Sequence, residues 1–130
     1  MSVRALSGDD RGSGRATIAH PLPDDLVELI AQRFRALSEP TRVKLLDHLR
    51  GGEATVVELT AAIGTTEQNV SKHLGVLRSA GIVARRKKGN FSYYSIADEG
   101  VFALCEHVCA SVHRQLESLH EIVASAVGID

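Results

Sequence analysis

GTTEQNVSKHLGVLRSAGIVARRKKGNFSYYSI, from Gly64 to Ile96, is the stretch whose reading decides the fold. Val70, Leu74 and Leu77 stand at i, i+4 and i+7, an apolar stripe that a helix can bury. Gln68, Ser71, Lys72 and Gly75 repeat that spacing on a second face, which is polar and short-chained. Thr65 or Thr66 suits the N-cap, and Gly81 suits the left-handed residue that closes a helix. Just upstream, Val57 to Gly64 reads as a short helix ending in a glycine turn. Two short helices joined by a tight turn, the second polar on its outer face, predict a helix-turn-helix. The N-terminal part of the second helix can then reach base edges in a major groove.

A capped amphipathic helix alone is common in soluble domains; the segment after it carries the weight. Ile82–Lys88 and Phe91–Ile96 are rich in β-branched and aromatic residues and are separated by Gly89-Asn90, a two-residue hairpin signal. From Gln68 through Ala97 there is no acid, yet there are six cations: Lys72, Arg78, Arg85, Arg86, Lys87 and Lys88. The formal net charge of the chain is -1, and the residues after Ala97 hold six acids against one arginine. A near-neutral chain with a polarised basic segment has the footprint of a nucleic-acid binder on one face. The four adjacent cations at the hairpin tip cannot pair with one another; they call for open water or an anionic partner, such as DNA phosphates or a minor groove.

Residues 1–20 are expected to be a disordered tail, Gly- and Ser-rich with mixed charge, and residues 21–127 one domain. Asp24-Asp25 place negative charge at the start of a helix marked by Leu26, Ile30, Phe34 and Leu37. Pro40 opens a second helix marked by Val43, Leu46 and Leu49, which Gly51-Gly52 stops. No apolar run is long enough to span a bilayer and no signal peptide is evident, so no membrane association is expected. Two cysteines do not make a disulfide scaffold, and a cytoplasmic setting is expected. There is no phosphate-cradling loop, zincin motif or nucleophile elbow, so an enzyme is not expected.

The residues Phe34-Arg35-Ala36-Leu37-Ser38-Glu39-Pro40-Thr41-Arg42, Glu58-Leu59, Val70-Ser71-Lys72-His73-Leu74, Leu77-Arg78-Ser79-Ala80-Gly81-Ile82-Val83 and Tyr93-Tyr94-Ser95-Ile96 resemble, in order and spacing, the ArsR/SmtB family of winged-helix repressors. The resemblance spans roughly residues 26 to 120. It implies a mainly α (α+β) fold: a winged helix-turn-helix with a two-stranded β-wing and long terminal dimerisation helices. It also implies a homodimer that binds double-stranded DNA at an inverted-repeat operator and releases it on binding an inducer. The expected DNA-contacting set is Thr66, Gln68, Asn69, Ser71, Lys72, His73, Arg78, Arg85, Arg86, Lys87, Lys88 and Asn90. The alternative is a winged-helix protein-interaction module without operator binding, against which the acid-free basic wing argues.

The last helix, about Gly100 to Val127, carries Cys105, Cys109, Val112, Leu116, Leu119 and Val123 at spacings of 4, 3, 4, 3 and 4, a heptad seam. A second copy would bury that seam. With the first helix, it sets the expected dimer interface as Leu26, Ile30, Val112, Leu116, Leu119 and Val123. Two metal patterns of the family are unsupported. Thr55 and Val57 stand where one places Cys-x-Cys; Asp98, Gly100, Ser111 and Arg114 stand at the four positions of the other, where only Asp98 fits. In their place Cys105, Cys109 and His113 are the candidate sensing residues. Their thiolate and imidazole donors suit Zn, Cu(I) or As(III) as inducer, with thiol oxidation as a further possibility. Against this, buried seam positions also accept cysteine as a small apolar group.

Overall fold

A computed structural model describes residues 17–128. The expected tail lies outside the described residues up to residue 16, and residues 17–20 join no helix or strand. The element order is α1 (Asp24–Leu37), α2 (Pro40–Leu49), β1 (Ala54–Thr55), α3 (Val56–Ile63), α4 (Glu67–Ser79), β2 (Val83–Lys88), β3 (Phe91–Ile96) and α5 (Glu99–Ala126).

Local chemistry accounts for the boundaries. Glu39 caps α2, accepting from the Thr41 N–H, and Pro40 fills the first turn. A capping box opens α3: the Glu58 N–H donates to Thr55 Oγ1 at 3.2 Å while the Thr55 N–H donates to Glu58 Oε1 at 2.8 Å. Thr66, rather than Thr65, caps α4 by accepting from the Asn69 N–H at 3.0 Å. At the other end of α4, the Ile82 N–H reaches Leu77 O and the Gly81 N–H reaches Arg78 O, both at 2.9 Å. That pair of bonds is the Schellman motif, and it needs Gly81 at φ +78°.

Leu45, Leu46 and Leu49 of α2, Leu59 of α3, and Val70, Leu74 and Leu77 of α4 form the core with Ile82, Val83 and Tyr94. On α2 the inward stripe is Leu45-Leu46-Leu49; Val43, expected on it, is 49% exposed. Two residues from Leu45, Val43 lies about 200° round the helix and so points outward.

The sheet has three antiparallel strands in the order β1-β3-β2: β2 and β3 are the expected two-stranded wing, and β1 is an added strand not expected from the sequence. β1 adds only Ala54 and Thr55, paired with Tyr94 and Tyr93. A two-residue strand is too short to show alternation, and pairing it ties the start of α3 to the wing. β2 and β3 pair from Val83↔Ile96 to Lys88↔Phe91, leaving Gly89-Asn90 as the turn, with Gly89 at φ +64°.

α5 starts one residue before the expected Gly100, with Asp98 as its N-cap accepting from the Val101 N–H at 3.0 Å. Only its first turns meet the domain: Val101 and Cys105 pack on the core, while no α5 residue is fully buried. Further along, Val112, Leu116, Leu119 and Val123 are open to solvent in the single chain. On α1, Ile30 is exposed and Leu26 half-buried. No helix of the described residues is long and apolar enough to cross a membrane.

Candidate nucleic-acid interface

α3 and α4 meet through Gly64-Thr65-Thr66, with Gly64 left-handed at φ +82°. Because Val70, Leu74 and Leu77 are wholly buried, the opposite face of α4 is obliged to point outward. Gln68, Ser71, Lys72 and Gly75 are all exposed on it, as expected. Gln68 makes no side-chain hydrogen bond among the described residues, so its amide is free; a bidentate amide contact to adenine is worth about 1–3 kcal/mol of discrimination.

Three expected contacts stand differently. Asn69 is half-buried, and its Nδ2 donates to Thr65 Oγ1 at 3.2 Å, so part of its amide is already spent locally. Thr66 has its oxygen engaged as the cap, leaving its O–H as a donor. Arg78 is exposed, but it lies about 15 Å of helix rise and about 80° round from Gln68. That position can serve a phosphate, not the base edges that Gln68 would read.

His73 is a correction. It is buried, 6% exposed, and faces inward beside Leu74. Its Nδ1 lies 2.9 Å from Arg42 Nη1. Since arginine can only donate, Nδ1 accepts and the ring is neutral with its proton on Nε2. The same guanidinium donates from Nε to Ala36 O at 2.6 Å and from Nη2 to Arg35 O at 3.4 Å. Arg42 therefore closes the end of α1 and props α4. Burial, then the charges of Arg42 and Lys72, hold the His73 pKa below its ordinary value, with Glu39 opposing.

The wing distributes its charge over two faces. Directly paired residues share a face, so Arg85 and Lys87 lie on the side of Val83 and Tyr94, and Arg86 and Lys88 on the side of Tyr93 and Phe91. Arg86 is not a free cation. Its Nη2 is 2.5 Å from Glu53 Oε2, and its guanidinium sits 5.0 Å from the Tyr93 ring centroid. The hydrogen bond from Arg86, reinforced by the charges of Arg86 and Lys88, lowers the Glu53 pKa. From the sequence the four tip cations are expected to face open water or an anionic partner; for Arg86 that partner is Glu53, 33 positions away in the same chain. Arg85, Lys87 and Lys88 make no ion pair among the described residues, and Asn90 is exposed in the turn.

Of the sensing set, the place of His113 is corrected, and the two thiols stand differently. Cys105 is half-buried against its own domain, where burial and then Glu106 push its thiol pKa up, while Cys109 is exposed. His113 Nε2 lies 3.2 Å from Glu117 Oε2. No group of three His, Cys, Asp or Glu side chains able to hold a metal occurs among the described residues. Eight residues of helix rise about 12 Å, too far for Cys105 and His113 to reach one ion along a straight helix. Asp98, the one position fitting a family metal pattern, caps α5 and pairs with Arg33 of α1.

The helix-turn-helix domain family matches residues 37–86. The HTH-type transcriptional regulator KmtR of Mycobacterium tuberculosis is 41% identical over 81 residues, 62% of this chain and 62% of its own length. The probable mercury resistance operon repressor of Streptomyces lividans is 41% identical over 101 residues, 78% of this chain and 75% of that protein. Among solved structures, the homodimeric winged helix-turn-helix DNA-binding domain of Mb0332 from Mycobacterium bovis superposes with a TM-score of 0.69 at 31% identity, covering 77% of this chain and 95% of that one. The fold is that of winged helix-turn-helix DNA-binding domains. The chain belongs to the ArsR/SmtB family of transcriptional regulators.

The buried His73 has a consequence for stability. A histidine whose folded pKa is depressed lets the unfolded chain take up the proton first. Stability is then complete above about pH 6.5 and falls as the pH drops toward the depressed folded value. His73→Asn keeps an acceptor near the Nδ1 position without a titration. Between about pH 7.5 and 5.5 the melting temperature of the wild type should fall more steeply than that of the variant. Parallel curves would remove His73 from the linkage.

Proposed function

We propose that this chain is a homodimeric transcriptional repressor that binds an inverted-repeat DNA operator and leaves it when an inducer engages the thiols of α5. The observation that carries the DNA reading is the outward polar face of α4 beside an acid-free basic wing, on a fold whose relatives are transcriptional regulators. Gln68, Ser71 and Lys72 contact bases, with Asn69 in a lesser part. Arg85, Lys87 and Lys88 hold the backbone, and Arg86 stiffens the wing through Glu53. The cytoplasm, where the operator lies, is the place of action.

The dimer follows from the apolar seam of α5. Leu116, Leu119 and Val123 are 56 to 60% exposed, a continuous apolar strip that one chain leaves wet. A second copy covers it, joined by Leu26 and Ile30 of α1, and sets two α4 helices about 34 Å apart over successive major grooves. The thiols suit a soft ion. Cys105 and Cys109, one turn apart, supply two sulfur ligands, and a third must come from the partner helix because His113 is out of reach. Similarity to a probable mercury resistance repressor supports a thiophilic inducer.

Three measurements test this reading. Gln68→Ala should change which operator positions are read, whereas Lys87→Gln should weaken all sequences alike and flatten the salt dependence by about 0.9 per lost phosphate contact. An unaltered salt slope would take Lys87 off the DNA. Leu116→Asp should sediment as a monomer and lose operator binding; a full-affinity dimer would disprove the seam. Zn(II), As(III) or Hg(II) should weaken operator binding of the wild type at least tenfold, about 1.4 kcal/mol of coupling, and leave Cys105→Ala/Cys109→Ala unaffected. Equal release of both proteins would place the sensor elsewhere.

A further inference from the structure

Between α1 and α4 lies an open groove of about 590 Å³ that the recognition reading leaves unused. Its lining brings together three cations, Arg35, Arg42 and Lys72, with the uncharged donors Gln32 and Ser79, and includes no acid. Gly75 forms part of the wall, and a Cβ built there would meet nothing within 4 Å, so a ligand can come close to the helix backbone. Arg42 is pinned by Ala36 O and His73 Nδ1, which fixes its positive charge at the groove. Lys72 is exposed, makes no ion pair among the described residues, and also belongs to the outward face of α4. Arg35 is exposed and is held by Glu28 at 2.7 Å in a surface pair with both side chains about 60% exposed. Such a pair contributes little and yields readily to a better anion.

We infer that this groove is a second seat for the DNA backbone, in which Arg35 and Gln32 of α1 donate to a phosphate beside Lys72. The inference rests on the operator-binding reading and extends it to α1, whose sequence offers no basic run to announce a DNA contact. The occupant is a backbone phosphate because Lys72 and Gly75 are shared with the face that meets the DNA. A phosphate strand flanking the major groove has the charge that an acid-free wall with fixed arginine selects. Glu28 is then a competitor for Arg35, and DNA binding exchanges one partner for the other.

The experiment uses the full chain and an operator duplex, with affinity measured against salt concentration. Arg35→Ala should weaken specific and non-specific duplexes alike and make the slope of log K against log salt shallower by about 1.8 for a dimer, one phosphate per protomer. Arg35→Lys should restore most of that slope. Glu28→Gln should tighten binding, the opposite of what loss of a structural ion pair would do. If Arg35→Ala and Glu28→Gln both leave affinity and slope unchanged while Gln68→Ala still alters preference, the groove is not a DNA seat and the operator reading stands. If wild-type protein binds no duplex in a salt-dependent way, the operator reading itself fails. A third arm titrates inorganic phosphate: saturable, Arg35-dependent binding together with an unchanged DNA salt slope in Arg35→Ala would assign the groove to a free anion and overturn the proposal.

Discussion

Complete burial of Val70, Leu74 and Leu77 is the constraint on which the rest depends. A helix has one circumference, so fixing three positions against α2, α3 and the sheet leaves no choice about which residues face away. Truncating any one of the leucines to alanine would forfeit roughly 2–5 kcal/mol, a large share of what a domain this size possesses. The outward set contains nothing bulky and apolar at its N-terminal end, and that is where a groove would receive it. Capping by Thr66 and closure at Gly81 then set where the surface begins and ends.

Packing alone would let α4 rotate or slide by small amounts; two polar joints oppose this. Arg42 links the last carbonyls of α1 to His73 on α4, and all three of its engaged nitrogens donate to acceptors. Arg33 of α1 pairs with Asp98, the residue that caps α5, and its guanidinium also lies 3.2 Å from where a Cβ at Gly81 would stand. The start of α5, the end of α4 and the middle of α1 thus converge on one side chain. Neither joint is a deep salt bridge. The first is largely hydrogen bonding from a half-buried arginine to a buried histidine, which would be costly to leave without its partner. The second is partly exposed, and its strength is limited by solvent.

Much of this arrangement was legible in the residues. The α4 stripe, the glycine stops and the Gly89-Asn90 hairpin are local signals, and local signals survive folding because neighbours in sequence decide them. What escaped is non-local. Glu53 meets Arg86 across 33 positions, and nothing around Glu53 announces it. β1 exists because Tyr93 and Tyr94 offer it an edge, not because two residues prefer to be extended. His73 sits next to the polar face in sequence, yet one step along a helix turns it about 100° into the core. In the sequence Arg42 stood only as the end of the family-like run from Phe34, whereas its role is to satisfy carbonyls belonging to another helix. For the thiols, spacing along the seam hid the fact that Cys105 already belongs to its own domain.

That last placement bears on how α5 can transmit a signal. Val101 and Cys105 are the residues that anchor the helix to the core, and beyond them the helix stands free of it. A change at Cys105 would therefore act at the base of a lever, where a small reorientation would be magnified along the 28-residue helix. Coordination at Cys105 would require the thiol to lose its proton, against the burial that now disfavours the thiolate. An ion satisfied at that point must either tolerate the present packing or draw Cys105 toward solvent beside Cys109. The first would leave the helix where it is and change nothing at the DNA. The second would pull on the contact with Val101 and, through Asp98 and Arg33, on the turn at Gly81 that ends α4. Only a ligand that binds these two arrangements unequally can shift the balance between them. Cys105 is half-buried and Cys109 exposed, so the two arrangements would offer such a ligand different surroundings.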